Sequence, residues 1–127
     1  GAYKFKGKPL LAFDRLKEIS EALDIPLVLH GASGVSETIV KRGAKAGAQW
    51  KGATGVPDSD IQKAITLGIS KINIATDLRL AFTCGVREYL LEHREVFKPD
   101  DYLIAGRDSV KEVVIGKMRL FSSSGKA

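Results

Sequence analysis

The sequence predicts an α/β fold built on parallel strands, and three observations predict it. Two short runs, the continuously apolar Leu27-Val28-Leu29 and the stretch Ile69 to Ile74, have the length of strands. The first is apolar without alternation, as in strands covered on both faces. Apolar residues at helical spacing precede, separate and follow the runs, and each run ends in a polar cluster. The resulting order of helix, strand, helix, strand, helix, helix is the βα repetition of a parallel sheet.

Leu16, Ile19 and Leu23 place one apolar face on a helix from Asp14 to about Leu23, with Asp14 as its N-cap. Asp24 and Pro26 stop it before the first strand. Gly31-Ala32-Ser33-Gly34 then reads as a tight turn, and Ser36 as the cap of a helix running to about Lys41. The Gly- and Ala-rich stretch from Gly43 to Gly55, with a single Trp50, reads as a loop. Pro57-Asp58-Ser59 restarts order, and Ile61, Ala64 and Ile65 form a short helical stripe closed by Gly68 at C′. After the second strand, Leu78, Ala81, Phe82, Val86 and Tyr89 mark a helix that Thr76 or Asp77 could cap. Val110, Val113, Val114, Met118 and Phe121 mark the last one. Two strands that are apolar on both faces leave their edges unpaired. The chain is therefore expected to need further strands, from an amino-terminal part or a partner chain.

The chain has 127 residues, one domain's worth at most. Net charge is +5, but the Lys and Arg residues are scattered. They form no basic stripe interleaved with aromatics, so nucleic acid is not an expected partner. Anionic small molecules such as phosphates suit scattered cations equally well. No apolar run reaches the ~20 residues of a membrane helix, and no membrane partner is expected. The basic start is not followed by the apolar stretch of a signal peptide. The one cysteine, Cys84, allows no internal disulfide, and a reducing cytoplasm is the simplest location.

Active sites of parallel α/β folds lie at the carboxyl ends of strands. His30 stands at such an end. It suits a metal ligand, a general base or a hydrogen-bonded structural histidine equally. Gly31-Ala32-Ser33-Gly34 has the physics of an anion site and also of a plain βα turn. Asn73 and Thr76 end the second run and could face a ligand on the same side as His30. Arg79 lies one turn further and reads otherwise as a solvated surface residue. Lys4 and Lys6 could reach a phosphate. Cys84 reads as packing, His93 as a solvated helix end, and Trp50 has no assigned role.

Two stretches resemble the class II fructose- and tagatose-bisphosphate aldolases. They are Leu27-Val28-Leu29-His30-Gly31-Ala32-Ser33-Gly34-Val35 and Gly68 through Phe82, which contains Asn73-Ile74-Ala75-Thr76-Asp77-Leu78-Arg79. The close, from Val110-Lys111-Glu112-Val113-Val114 through Phe121 to Ala127, is similar to how many members end. The resemblance implies a (β/α)8 TIM barrel, with residues 1–127 as the carboxy-terminal part of its single domain: the last two strands and the helices after them. It implies reversible cleavage of fructose 1,6-bisphosphate to dihydroxyacetone phosphate and glyceraldehyde 3-phosphate. It also implies Zn2+, which acts as a Lewis acid, with room for a monovalent cation, and a homodimer or homotetramer.

Position by position, the resemblance makes His30 a zinc ligand and Asn73 the residue that contacts the triose and its enediolate. It makes Gly31, Ala32 and Ser33 the triose-phosphate turn, and Ile74, Ala75 and Thr76 substrate contacts. Gly1 and Lys4 belong by likeness to a substrate loop that follows another zinc histidine. Arg79 matches an arginine that reaches a neighbouring subunit's site. The Asp-His pair and the second zinc histidine of the family have no counterpart in these residues. Catalytic zinc takes about three protein ligands, so this portion alone is expected to be inactive. Ala75 stands where fructose-type members usually carry Asp and tagatose-type members often carry Ala. Tagatose 1,6-bisphosphate is thus the alternative substrate, and a non-catalytic phosphosugar-binding fragment is the alternative class.

Overall fold

A computed structural model describes residues 10–50 and 55–126. Gly1, Lys4 and Lys6 lie outside the described residues. The elements are α1 (Phe13–Ala22), β1 (Leu27–Leu29), α2 (Glu37–Lys45), α3 (Asp58–Thr66), β2 (Ile69–Ile72), α4 (Thr76–Glu92) and α5 (Pro99–Leu120). The α/β expectation holds: β1 and β2 pair in parallel, with Val28 opposite Lys71 and Leu29 opposite Ile72, after an irregularity between Leu27 and Val28. Two helices lie between the strands, at the Ser36-capped stretch and at the Ile61 stripe. The described elements fall into two compact units, one of α1, β1, α3 and β2, the other of α2, α4 and α5.

In the first unit, Ile61 and Ala64 sit three apart on α3 and are both fully buried, and Ile69 of β2 is buried beside them in sequence order. Complete burial of a side chain the size of Ile61 contributes about 1.5–3 kcal/mol. Gly68 joins α3 to β2 with φ +108°, and a Cβ there would lie 2.1 Å from Ser20 Oγ of α1. Glycine is required at this C′ position twice over, by backbone sign and by close approach. Lys63 covers the Phe13 ring at 4.2 Å, a second tie between α3 and α1. The cap of α1 corrects the sequence reading. Ala12 is the N-cap without a side-chain bond, and Asp14 lies within the first turn. An acid there complements the helix dipole without capping it, which is why the two roles look alike in sequence.

The second unit is an antiparallel α4–α5 pair with α2 packed on α4. Gly85 makes the close approach possible. A Cβ on it would lie 2.5 Å from the Ala105 carbonyl oxygen and 2.9 Å from Ser109 Cβ, and one on Gly106 would lie 2.8 Å from the Phe82 ring. Gly85→Ala is expected to push the helices apart and cost about 1–3 kcal/mol, seen as a lower denaturation midpoint. Ile39, Ala81 and Cys84 form the core, with Trp50, Leu80, Val110 and Val113 against it. Burial pushes the Cys84 thiol up from its ordinary pKa. The packing role read for Cys84 is correct.

Trp50 now has a role. A Cβ on Gly43 would fall 2.0 Å from its ring, so the bare glycine face of α2 is the seat of the indole. The helix therefore runs through Gly43 to Lys45, where a loop was expected. Its start is as read: Ser36 Oγ accepts the Thr38 N–H at 3.2 Å. Helix α5 begins at Pro99 rather than near Val110. Proline at its first helical position lacks an N–H that would be unsatisfied there anyway. His93 is half-buried rather than solvated, stacked on Tyr89 at 4.2 Å between centroids.

Arg42 of α2 donates twice to Glu88 of α4, at 2.9 and 2.7 Å. These bonds hold the Glu88 carboxyl below its ordinary pKa. A depressed pKa in the folded state gives stability above the unfolded-state value and loses it as pH falls through the folded value. Glu88→Gln is therefore expected to be less stable than the parent at neutral pH. The difference should shrink on acidification below the usual glutamate range, as read by urea midpoints at the two pH values.

Candidate functional site

Parallel pairing in register brings the carboxyl ends of β1 and β2 together. The Asn73 N–H donates to the Leu29 carbonyl at 3.0 Å, one step beyond the end of β2 at Ile72. The next residues, His30 and Asn73, then lie side by side. Asn73 Nδ2 is 2.8 Å from His30 Nδ1 and 3.3 Å from Nε2. The adjacency expected from two separate strand ends is thus a direct contact between side chains. Lys71 precedes Asn73 by two residues, hence on the same face of the strand. Its ammonium donates to Asn73 Oδ1.

The His30 ring is exposed, and an amide rather than a carboxylate stands at its nitrogens. A neutral imidazole so placed can give its lone pair to a metal once the amide yields. Among the described residues no three His, Cys, Asp or Glu side chains converge as a metal group. Gly31 turns the chain with φ +69° after His30, Ala32 is buried, and the Ser33 carbonyl accepts the Val56 N–H at 3.2 Å. That bond anchors the turn to the segment before α3.

In the second unit, α4 opens on Ala75 as its N-cap with no side-chain cap bond. Thr76 and Asp77 are therefore its first helical residues and not its caps. Thr76 and Arg79 are exposed. Asp77 is 5% exposed, and Lys117 of α5 approaches its Oδ1 at 3.6 Å. A helix amino terminus favours anions, while the acid of this first turn, Asp77, is turned inward towards Lys117.

The sequence model of the class-II fructose-bisphosphate aldolases matches residues 1–126. The chain belongs to this family. It is 50% identical to the fructose-bisphosphate aldolase of Thermus caldophilus over 127 residues, all of this chain and 42% of that protein. It is 44% identical to that of Giardia intestinalis, again over all of this chain and 40% of the relative. The crystal structure of the YdjI aldolase from Escherichia coli K12 superposes with a TM-score of 0.65 at 35% identity, covering 94% of this chain and 36% of that one. The chain thus spans about two fifths of the length of the curated relatives it matches.

Within this aldolase-family chain, sequence reading singled out His30 and Asn73 and missed Lys71, Asp77 and Lys117 as structural partners. For Lys71 a signal was there, a cation two residues before Asn73 on one strand. For Asp77 and Lys117 there was none, since 40 positions separate them.

Proposed function

We propose that this chain is the carboxy-terminal part of a (β/α)8 barrel that cleaves fructose 1,6-bisphosphate reversibly to dihydroxyacetone phosphate and glyceraldehyde 3-phosphate. The observation that carries the reading is the pairing of His30 with Asn73 at neighbouring parallel strand ends, in a chain of the class-II aldolase family. The barrel draws support from exposed apolar surface along β1. Val28 is 47% and Ile19 of α1 39% exposed, and both line an apolar groove with Leu11, Leu16 and Leu27. Further strands would cover such a surface.

In this reading His30 supplies one ligand to zinc, and the remaining ligands come from the rest of the barrel. Zinc, when bound, polarises the substrate carbonyl as a Lewis acid. Asn73 contributes an amide donor for the substrate oxygen that gains negative charge, a contact that is strongest when the charge is fullest. Gly31, Ala32 and Ser33 hold the triose phosphate through the turn after β1. Ile74, Ala75 and Thr76 contribute substrate contacts at the start of α4, as do Gly1 and Lys4. These roles rest on family likeness. Arg79 is exposed and would extend to a neighbouring subunit in a homodimer or homotetramer. A cytoplasmic location fits the single buried free thiol.

The complete polypeptide is expected to cleave fructose 1,6-bisphosphate and to lose that activity in EDTA, with zinc restoring it. Full activity in chelator would remove the zinc role. Residues 1–127 alone are expected to show no turnover. Ala75 favours a second reading, in which tagatose 1,6-bisphosphate is the better substrate. Comparing kcat/KM for the two epimers decides between them.

A further inference from the structure

We propose that Lys71 is a positioning residue that fixes the sense of the Asn73 amide, an inference that rests on the aldolase reading above. An asparagine amide has one accepting and one donating end, of similar shape. At Asn73 the two ends face different partners: Oδ1 faces the Lys71 ammonium, and Nδ2 faces His30 at 2.8 Å. A lysine ammonium has donors and no acceptor, so the end of Asn73 that meets it must be the oxygen. The donating end is thereby turned towards His30. It lies within reach of both ring nitrogens, 2.8 Å from Nδ1 and 3.3 Å from Nε2.

Three side chains on two strands thus form one directed sequence, Lys71 to Asn73 to His30. The direction matters for the chemistry. Without a cation at Oδ1 the amide can turn over and offer its oxygen to the site. An oxygen there would repel a substrate oxygen that becomes negative, where a donor stabilises it. A hydrogen bond from a charged donor is also stronger than a neutral one, so the bias is substantial. The spacing serves this role. Lys71 and Asn73 alternate onto the same face of the strand, while Ile72 between them faces the other way.

The test uses the complete polypeptide and a double-mutant cycle. Lys71→Met is expected to lower kcat about tenfold to a hundredfold, the range for lost outer partners of a metal site, with KM and the denaturation midpoint little changed. Lys71→Arg keeps a donor and is expected to recover most of that loss. In an Asn73→Ala background, Lys71→Met is expected to cost nothing more, because its route of action is gone. In zinc-free protein labelled with nitrogen-15, the His30 ring signals are expected to shift in Lys71→Met, as the amide beside the ring turns over, and not in Lys71→Arg. Equal losses in both backgrounds, or wild-type kcat together with wild-type His30 signals in Lys71→Met, would overturn the proposal. If the parent polypeptide itself cleaves neither bisphosphate, the aldolase reading falls, and the His30 signals still decide what Lys71 does.

Discussion

Replacing His30 with Ala in the complete polypeptide is expected to abolish zinc-dependent cleavage and to release zinc. Loss of an outer partner of a metal ligand already costs about 10–100-fold in affinity or activity. Loss of the ligand itself removes an inner bond from a set of about three and should exceed the top of that range. Metal content after dialysis and turnover with fructose 1,6-bisphosphate are the two measurements, and both should fall together. The fold should survive, because the His30 side chain is exposed and its ring contacts the Asn73 amide rather than the core. An unchanged turnover would point instead to a phosphate-binding barrel enzyme of another kind, one that uses neither zinc nor this imidazole. Retained zinc with lost turnover would move His30 from metal ligand to acid/base group.

Lys117→Met is expected to produce the largest loss of stability, about 3–5 kcal/mol, the range for removing one partner from a buried ion pair. Asp77 and Lys117 side chains are 4% and 13% exposed, and the ammonium lies 3.6 Å from Oδ1. Asp77 Oδ2 has no hydrogen-bond partner among the described residues, so nothing on its other side compensates for a lost cation. Removing the carboxylate charge as well, in Asp77→Asn with Lys117→Met, is expected to recover much of the loss, because an apolar and a neutral group can pack where an unpaired ion cannot. Urea denaturation of the parent, the single and the double variant measures this. Equal stability of parent and Lys117→Met would show that the pair carries no net stabilisation.

Much of the fold was legible in sequence because its signals are local. Leu27-Val28-Leu29 reads as a strand from three consecutive residues, and Ser36 as a cap from its position before a helical stripe. Errors arose where a local signal was overridden at a distance. Gly43 looks like the start of a loop, and it is helical because Trp50 fills the space its missing side chain leaves. Asp14 looks like a cap because acids favour both the cap and the first turn. Helix α5 shows in sequence only through its second-half stripe, Val110 to Phe121, while its first half is held by Gly106 against Phe82 and Val86 of α4.

The candidate site divides in the same way. The sequence by itself determined the α/β class, the family likeness, and the positions of His30 and Asn73 at strand ends, since all of these depend on residue order along short stretches. Only the tertiary structure decided that the Asn73 amide stands against the His30 ring with Lys71 behind it, that Asp77 is buried against Lys117, and that α4 and α5 meet at Gly85. The reason is physical. Hydrogen-bond direction, burial of a charge and the approach of two backbones depend on atoms brought together from distant positions, and residue order carries no distance between them.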